Sequence, residues 1–211
     1  MSEHIQTIFD SIVKGNRIAT LDAIQAALDA GAPVNQIINE GMIAAMGEVG
    51  QRFEAGQFYI PEMLVAARAM QAGMNAVKPY LTEDEVQVAG KVVLGTVSGD
   101  LHDIGKNLVS VMLEGAGFQI VDLGTDVPAA RFVEAVREHQ PDILAMSALL
   151  TTTMTNLKTV IDALQAAGVR EGVKVLVGGA PITEAYAQQV GADGYAPDAS
   201  RAVGVAKELV T

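Results

Sequence analysis

The sequence contains no cysteine and no tryptophan, and only 4% of its 211 residues are aromatic. Without cysteine the chain can form no disulfide, zinc–thiolate site or iron–sulfur cluster, and it has no thiolate nucleophile. Basic residues are also scarce: 14 Lys and Arg face 25 Asp and Glu, which leaves a net charge of −11. Because an acidic chain repels a phosphate backbone, nucleic acid is not an expected partner.

Long apolar runs are missing as well. No stretch approaches the ~18 consecutive apolar residues of a membrane-spanning helix, and the first residues show no signal-peptide pattern. We therefore expect a cytoplasmic protein without a membrane partner. Half of the residues are nevertheless hydrophobic, and most of them are aliphatic. This composition favours packed helices and parallel sheets over small all-β folds.

Residues 1–85 carry only helical patterns, and we predict that they form one domain. In the last of its helices we expect Leu64, Met70 and Met74 to lie on one apolar stripe, and Met63, Met70 and Met74 to belong to the core. Short connections between the helices predict a four-helix bundle. The apolar residues recur at helical spacing in four stretches: Ile5 to Val13, Ile18 to Ala30, Pro33 to Val49, and Pro61 to Val77.

Residues 90–211 alternate between strand and helix patterns, and we predict that they form a second domain. Five alternations indicate a five-stranded parallel sheet covered by helices on both faces, which is a doubly wound, flavodoxin-like α/β fold. The charged stretch at residues 81–90 is the predicted linker. The predicted strands are Lys91–Val97, Phe118–Leu123, Asp142–Ser147, Val173–Val177 and Gly194–Tyr195.

Ligands of such folds bind beyond the carboxyl ends of the strands, where the strand order reverses. In the flavodoxin-like order, the loops after the first and third strands lie side by side at that point. The first of these loops contains Asp100 and His102, and the other contains a run of threonines, Thr151 to Thr153. These side chains are therefore expected to converge.

Two phosphate-binding motifs are excluded at the first loop. The spacing from Gly99 to Gly105 and the Asn107 that follows Lys106 do not fit a P-loop, and the sequence contains no G-x-G-x-x-G. Of the other histidines, His4 and His139 are expected to be solvated or structural. His102 differs from them because an aspartate stands two residues before it in a glycine-rich loop.

Three motifs carry a resemblance to a known family. They are Asp100-x-His102-x-x-Gly105, Ser147-x-Leu149 and Gly178-Gly179, and their order and spacing resemble the signature of His-ligated cobalamin-binding domains. Residues 95–128 are similar to the corresponding stretch of methionine synthase and its corrinoid-protein relatives. Residues 53–63 resemble the turn of the helical cap in the methyl-transferring branch. The resemblance thus spans nearly the whole chain.

The resemblance implies a role for each motif residue. His102 would replace the nucleotide base of a corrinoid as ligand to cobalt, and Asp100 would bond its second ring nitrogen. A hydroxyl would bond Asp100 in turn: Thr153 by position, although Thr151 or Thr152 could substitute. Phe53 and Ile60 would cover the upper face of the corrin. The resemblance also assigns to cofactor binding Gly99, Leu101, Asp103, Ile104, Gly105, Ser147, Leu149, Thr151, Gly178, Gly179, Tyr195, Asp198 and Ala199.

The function implied by the resemblance is that of a methyl carrier, which is not a catalyst alone. A substrate methyltransferase would load the cobalt, a second would pass the methyl group to an acceptor such as tetrahydrofolate or a thiol, and a reductive activase would restore the cobalt. The donor could be a methylamine, methanol, a betaine or a methoxylated aromatic. Two alternatives stay open: a regulatory or sensory cobalamin module, and an isolated adenosylcobalamin mutase domain.

Overall fold

The computed structural model describes residues 2–80 and 89–211 of the chain. Most of the predicted linker at residues 81–90 therefore lies outside the described residues. These residues divide into two compact units. The first covers residues 2–80 and takes in Gly115–Gly117, and the second covers residues 89–114 and 118–211. Within the described parts of the chain, no helix is long and apolar enough to cross a membrane.

Helices make up the first unit, as predicted. Its first two helices begin at polar caps, because the side chains of Ser2 and Asn16 each accept a hydrogen bond from a backbone amide of the first turn. The third predicted helix contains a π-helical segment. In order, the elements are α1 (Glu3–Val13), α2 (Arg17–Asp29), α3 (Val34–Gln36), the π-helical segment (Ile37–Ile43), α4 (Ala44–Glu54), α5 (Ile60–Val77) and a 3-10 turn (Lys78–Tyr80).

The core of the first unit forms between the apolar faces of its helices. Ile5, Ile8 and Ile12 recur along one face of α1 and are fully buried, as is Met63 of α5. The prediction for Leu64 was wrong, since this side chain is 37% exposed. The inward face of α5 is set one position earlier, at Met63, and one residue rotates a side chain by more than a quarter turn.

Strands and helices alternate through the second unit, and the five predicted strands are confirmed. In chain order the elements are β1 (Gly90–Thr96), α6 (Ile104–Gly115), β2 (Phe118–Asp122), α7 (Ala129–His139), β3 (Ile143–Ser147), α8 (Thr155–Ala166), a 3-10 turn (Arg170–Gly172), β4 (Lys174–Gly178), α9 (Glu184–Val190), β5 (Gly194–Ala196) and α10 (Ala199–Leu209).

The sheet is parallel throughout, in the order β2-β1-β3-β4-β5. This is the predicted flavodoxin-like order, and its direction reverses between β1 and β3. The two strands pair in register so that Thr96, the last residue of β1, lies opposite Ser147, the last residue of β3. The loops that follow them therefore leave the sheet side by side.

One large aromatic side chain fills the core on one face of this sheet. Phe132 of α7 is fully buried in a cluster of aliphatic residues from β1, β3, β4 and helices α7 to α9. Its ring lies directly over Gly95 of β1, where a Cβ atom would come within 2.8 Å of it. The absence of a side chain at position 95 is therefore what admits the ring.

We predict that Phe132→Ala lowers the free energy of unfolding by about 3 to 5 kcal/mol, because the change leaves a cavity against β1. Urea unfolding followed by far-ultraviolet circular dichroism measures the loss. Glu138→Ala, an exposed position on the same helix, is the matched control and should change the free energy by less than about 0.5 kcal/mol. Equal effects of the two changes would contradict this description of the core.

Candidate functional site

The loops after β1 and β3 bring three of the predicted side chains together. Asp100 and His102 stand on the first loop, and Thr153 stands in the turn before α8. That helix begins at Thr155. Thr153 lies just before it, and its hydroxyl bonds Asp100 across the two loops.

Asp100 is the centre of the cluster. Its side chain is fully buried, and both carboxylate oxygens are occupied. Oδ1 accepts hydrogen bonds from His102 Nδ1 at 2.7 Å and from the His102 backbone amide at 3.1 Å. Oδ2 accepts from the Thr153 hydroxyl at 2.6 Å and from the Leu149 amide at 2.7 Å. Four donors from two loops thus converge on one carboxylate.

The charge of Asp100 follows from these contacts. Burial alone raises the pKa of the carboxyl group, but the hydrogen bonds from Thr153, Leu149 and His102 outweigh it and hold the pKa far below the usual range. Asp100 therefore remains a carboxylate at any pH near neutrality. A carboxylate can only accept hydrogen bonds.

The ionised carboxylate fixes the tautomer of neutral His102. Because Asp100 can only accept, His102 Nδ1 must carry the proton, and the lone pair is left on Nε2. The His102 side chain is 50% exposed, although its carboxylate partner is buried. Neutral imidazole with a free ring nitrogen is a good ligand for a transition metal.

Thr153 is distinguished from the neighbouring threonines by burial. It is buried and bonds Asp100, whereas Thr151 and Thr152 are exposed.

The sequence did not reveal the Leu149 amide as a donor to Asp100, because side-chain motifs carry no signal for a backbone contact. The contacts of Thr96 and Asp126 with the His102 loop were not predicted either. In the sequence Thr96 has the pattern of a strand residue, and Asp126 has that of a turn residue.

Large apolar side chains lie exposed on the same loops. Leu101 and Ile104, on either side of His102, are 74% and 75% exposed, and Leu149 and Leu150 are about half as exposed. Exposed apolar side chains that are grouped at one place mark ligand or partner surfaces. A free imidazole nitrogen among them suits the metal-containing macrocycle that the resemblance implies.

The described residues contain no group of three or more His, Cys, Asp or Glu side chains that could chelate a metal ion. His102 is therefore not one ligand of a chelating cluster among these residues. The donor set suits a metal that arrives with most of its ligands already in place, such as the cobalt of a corrinoid.

Gly178 is the last residue of β4 and Gly179 follows it, and both face backbone atoms. A Cβ at Gly179 would lie 1.9 Å from the Ala148 carbonyl oxygen, and one at Gly178 would lie 2.8 Å from that of Ala196. Gly179 also has a φ of +131°. Close packing against β5 at Gly178 and against the residue after β3 at Gly179 is thus enough to require both glycines. Their predicted contact with a cofactor stays a prediction.

The remaining predicted residues are spread over this edge of the sheet. Gly99 has a left-handed φ of +79° within the His102 loop. Asp103 accepts a hydrogen bond from the Asn107 amide group. Asp198 caps α10 by accepting from the Arg201 amide. Gly105 lies in the first turn of α6, Tyr195 lies in β5, and Ala199 begins α10. Their predicted contacts with a cofactor likewise stay predictions.

Phe53 and Ile60 belong to the helical unit. Phe53 is partly buried near the end of α4, and Ile60 is 43% exposed at the start of α5. Neither is a core residue of the bundle, so both retain apolar surface for a contact. Their role in covering a corrin stays a prediction.

Comparison with known proteins gives a consistent result. Two family models match, each described as a B12 binding domain, over residues 90–204 and residues 4–78. Dimethylamine corrinoid protein 2 of Methanosarcina acetivorans is 44% identical over 209 residues, which are 99% of this chain and 96% of that protein.

Solved structures agree with the sequence matches. A cobalamin-binding protein from Desulfitobacterium hafniense DCB-2 superposes with a TM-score of 0.82 at 33% identity, over 98% of both chains. The methanol:cobalamin methyltransferase complex MtaBC from Methanosarcina barkeri contains a chain that superposes with a TM-score of 0.90 at 31% identity. That match covers 99% of this chain and 80% of the other.

The hydrogen bond to Asp100 predicts the tautomer of His102 in the cofactor-free protein. Two-dimensional nitrogen-15 spectra of the imidazole rings, recorded where histidine is neutral, should show His102 protonated on Nδ1. In Asp100→Ala this preference should be lost, while the rings of His4 and His139 serve as internal references. Protonation of His102 on Nε2 in the unaltered protein would contradict the geometry described.

Proposed function

Because this chain belongs to the B12 binding domain family, we propose that it is a corrinoid protein that carries a methyl group between methyltransferases. The observation that supports this most strongly is the pairing of buried Asp100 with His102, which leaves a free Nε2 lone pair on a half-exposed side chain at the switch point of the sheet. When bound, the corrinoid supplies a cobalt atom that accepts a methyl group and gives it up again.

The chain itself contributes a ligand of fixed orientation. His102 would bind the cobalt through Nε2, since Nδ1 is committed to Asp100. Thr153 and the Leu149 amide hold Asp100 from the opposite side, so the carboxylate cannot turn away from the imidazole. A ligand oriented in this way loses little conformational freedom on binding.

The apolar surface would receive the macrocycle. Leu101 and Ile104 stand next to His102 and offer exposed side chains to a flat ring. The displaced nucleotide of the corrinoid would then enter the edge of the sheet between β3 and β5. Its proposed walls are Ser147, Leu149, Thr151, Gly178, Gly179, Tyr195, Asp198 and Ala199.

Catalysis would belong to separate proteins. We propose one methyltransferase that loads the carrier, a second that passes the methyl group to an acceptor, and an activase that restores reduced cobalt. The complex that contains a similar chain is a methanol:cobalamin methyltransferase, which supports the first of these partners. The acidic, cysteine-free sequence suits the reducing cytoplasm, where we place the protein.

The methyl donor depends on the loading partner. One similar protein is named for dimethylamine and another belongs to a methanol complex. The exposed groups near His102 serve the cofactor common to both systems. We therefore propose a small methylated amine or alcohol as the source, chosen by the partner enzyme and not by this chain.

We predict that His102→Ala abolishes the His-bound form of the corrinoid. Anaerobic reconstitution with hydroxocobalamin should give a coloured protein whose visible spectrum differs from that of the free cofactor. In His102→Ala the retained corrinoid should show the spectrum of a cofactor without an axial base, or retention should fall by about tenfold or more.

The matched control is His139→Ala, which removes a partly buried histidine from the end of α7. Its reconstituted spectrum should equal that of the unaltered protein. Identical spectra and retention for His102→Ala and the unaltered protein would refute the ligand assignment. Failure of the unaltered protein to retain any corrinoid would refute the proposed function as a whole.

A further inference from the structure

The loop from Ser98 to His102 is held by two residues outside the Asp100 cluster. Thr96 ends β1 on one side of this loop, and Asp126 lies in the connection between β2 and α7. Both contact the loop through side chains, at different ends. Neither is explained by the packing of the core or by the contacts of the proposed ligand.

Thr96 holds the backbone of His102. Its side chain is fully buried, and Oγ1 donates a hydrogen bond to the His102 carbonyl oxygen at 3.1 Å. Thr96 Oγ1 also lies 2.9 Å from Ser147 Oγ. A hydroxyl has one proton and a carbonyl can only accept, so Thr96 donates a hydrogen bond to the His102 carbonyl and accepts one from the Ser147 hydroxyl. This chain of hydroxyl groups ties the His102 carbonyl to the ends of β1 and β3.

Asp126 holds the other end of the loop. Its Oδ1 accepts hydrogen bonds from the Gly99 amide at 2.6 Å and from the Ser98 hydroxyl at 3.3 Å. Its own amide donates to the Asp100 carbonyl oxygen at 3.0 Å. Three consecutive loop residues are thus bonded to one aspartate. A bond to a charged acceptor is stronger than one between neutral groups.

The backbone of Asp126 is itself constrained. Its φ is +54°, in the left-handed region that Asp tolerates better than most residues. The next residue, Val127, donates its amide to the Thr96 carbonyl oxygen at 2.9 Å, which anchors the segment beside β1. Both ends of the loop are therefore anchored to the carboxyl end of β1.

We propose that Thr96 and Asp126 are positioning residues that hold the Ser98–His102 loop at its two ends, so that the imidazole is oriented before the corrinoid binds. The identity of the ligand rests on the proposed function, whereas the positioning rests on the contacts of the loop alone. Orientation in advance lowers the ordering cost of binding.

Two pairs of variants separate positioning from folding. Thr96→Val removes the hydroxyl at nearly constant volume, and Thr96→Ser keeps it. Asp126→Gly accepts the left-handed φ and loses the carboxylate, whereas Asp126→Asn tolerates the same φ and keeps an acceptor oxygen. The second member of each pair is the matched control.

The first measurement uses the cofactor-free protein. Hydrogen exchange of the Gly99 amide should accelerate about tenfold or more in Asp126→Gly, because a charge-assisted bond is lost. Carbon-13 relaxation of the His102 ring should report increased motion in Thr96→Val. Thr96→Ser should stay close to the unaltered protein, and the His139 ring should not change. Asp126→Asn keeps a neutral acceptor, so exchange of the Gly99 amide should be clearly slower in it than in Asp126→Gly. Unchanged Gly99 exchange and His102 motion would overturn the proposal.

The second measurement uses the reconstituted protein. The ratio of the His-bound to the base-free spectral form of the retained corrinoid should fall about fivefold in Thr96→Val, as expected for loss of one neutral hydrogen bond, and should return in Thr96→Ser. A merely structural role would lower the melting temperature and the total retained corrinoid but leave this ratio unchanged, which would overturn the proposal. If the unaltered protein retains no corrinoid, the proposed function fails, and the cofactor-free measurement still decides the positioning.

Discussion

A buried carboxylate must be surrounded by donors, and this requirement at Asp100 determines the arrangement of the whole site. Removing a carboxylate from water costs several kcal/mol or more unless hydrogen bonds replace the lost hydration. Here the replacement comes from His102, Thr153 and the Leu149 amide. Meeting that need fixes the tautomer of the histidine and links the loops after β1 and β3, which the sheet already places side by side.

The sheet makes this meeting possible, and its order could be predicted from the sequence. The apolar runs around Val93 and Leu144 and the alternation with helical patterns are local signals, so they survive without knowledge of the fold. The switch point between β1 and β3 follows from the flavodoxin-like order. That was enough to predict that Asp100, His102 and a threonine converge.

Features that depend on tertiary contacts could not be predicted in this way. The exposure of Leu64 depends on which face of α5 meets the bundle, and Leu64 and Met63 are equally apolar in the sequence. The donation from the Leu149 amide is a backbone property without a residue signature. The close contact of Gly179 with Ala148 is likewise a tertiary contact that the motif does not signal.

The central claim is that His102 supplies the axial nitrogen of the bound corrinoid. Electron paramagnetic resonance of the cobalt(II) form tests it most directly, with protein that carries either ordinary or nitrogen-15 histidine. An axial nitrogen of natural isotope splits each cobalt line into a triplet, and nitrogen-15 splits it into a doublet. If His102 is the ligand, labelled histidine converts the triplet to a doublet, and His102→Ala loses the protein-derived splitting. A triplet that persists with labelled histidine would contradict the claim.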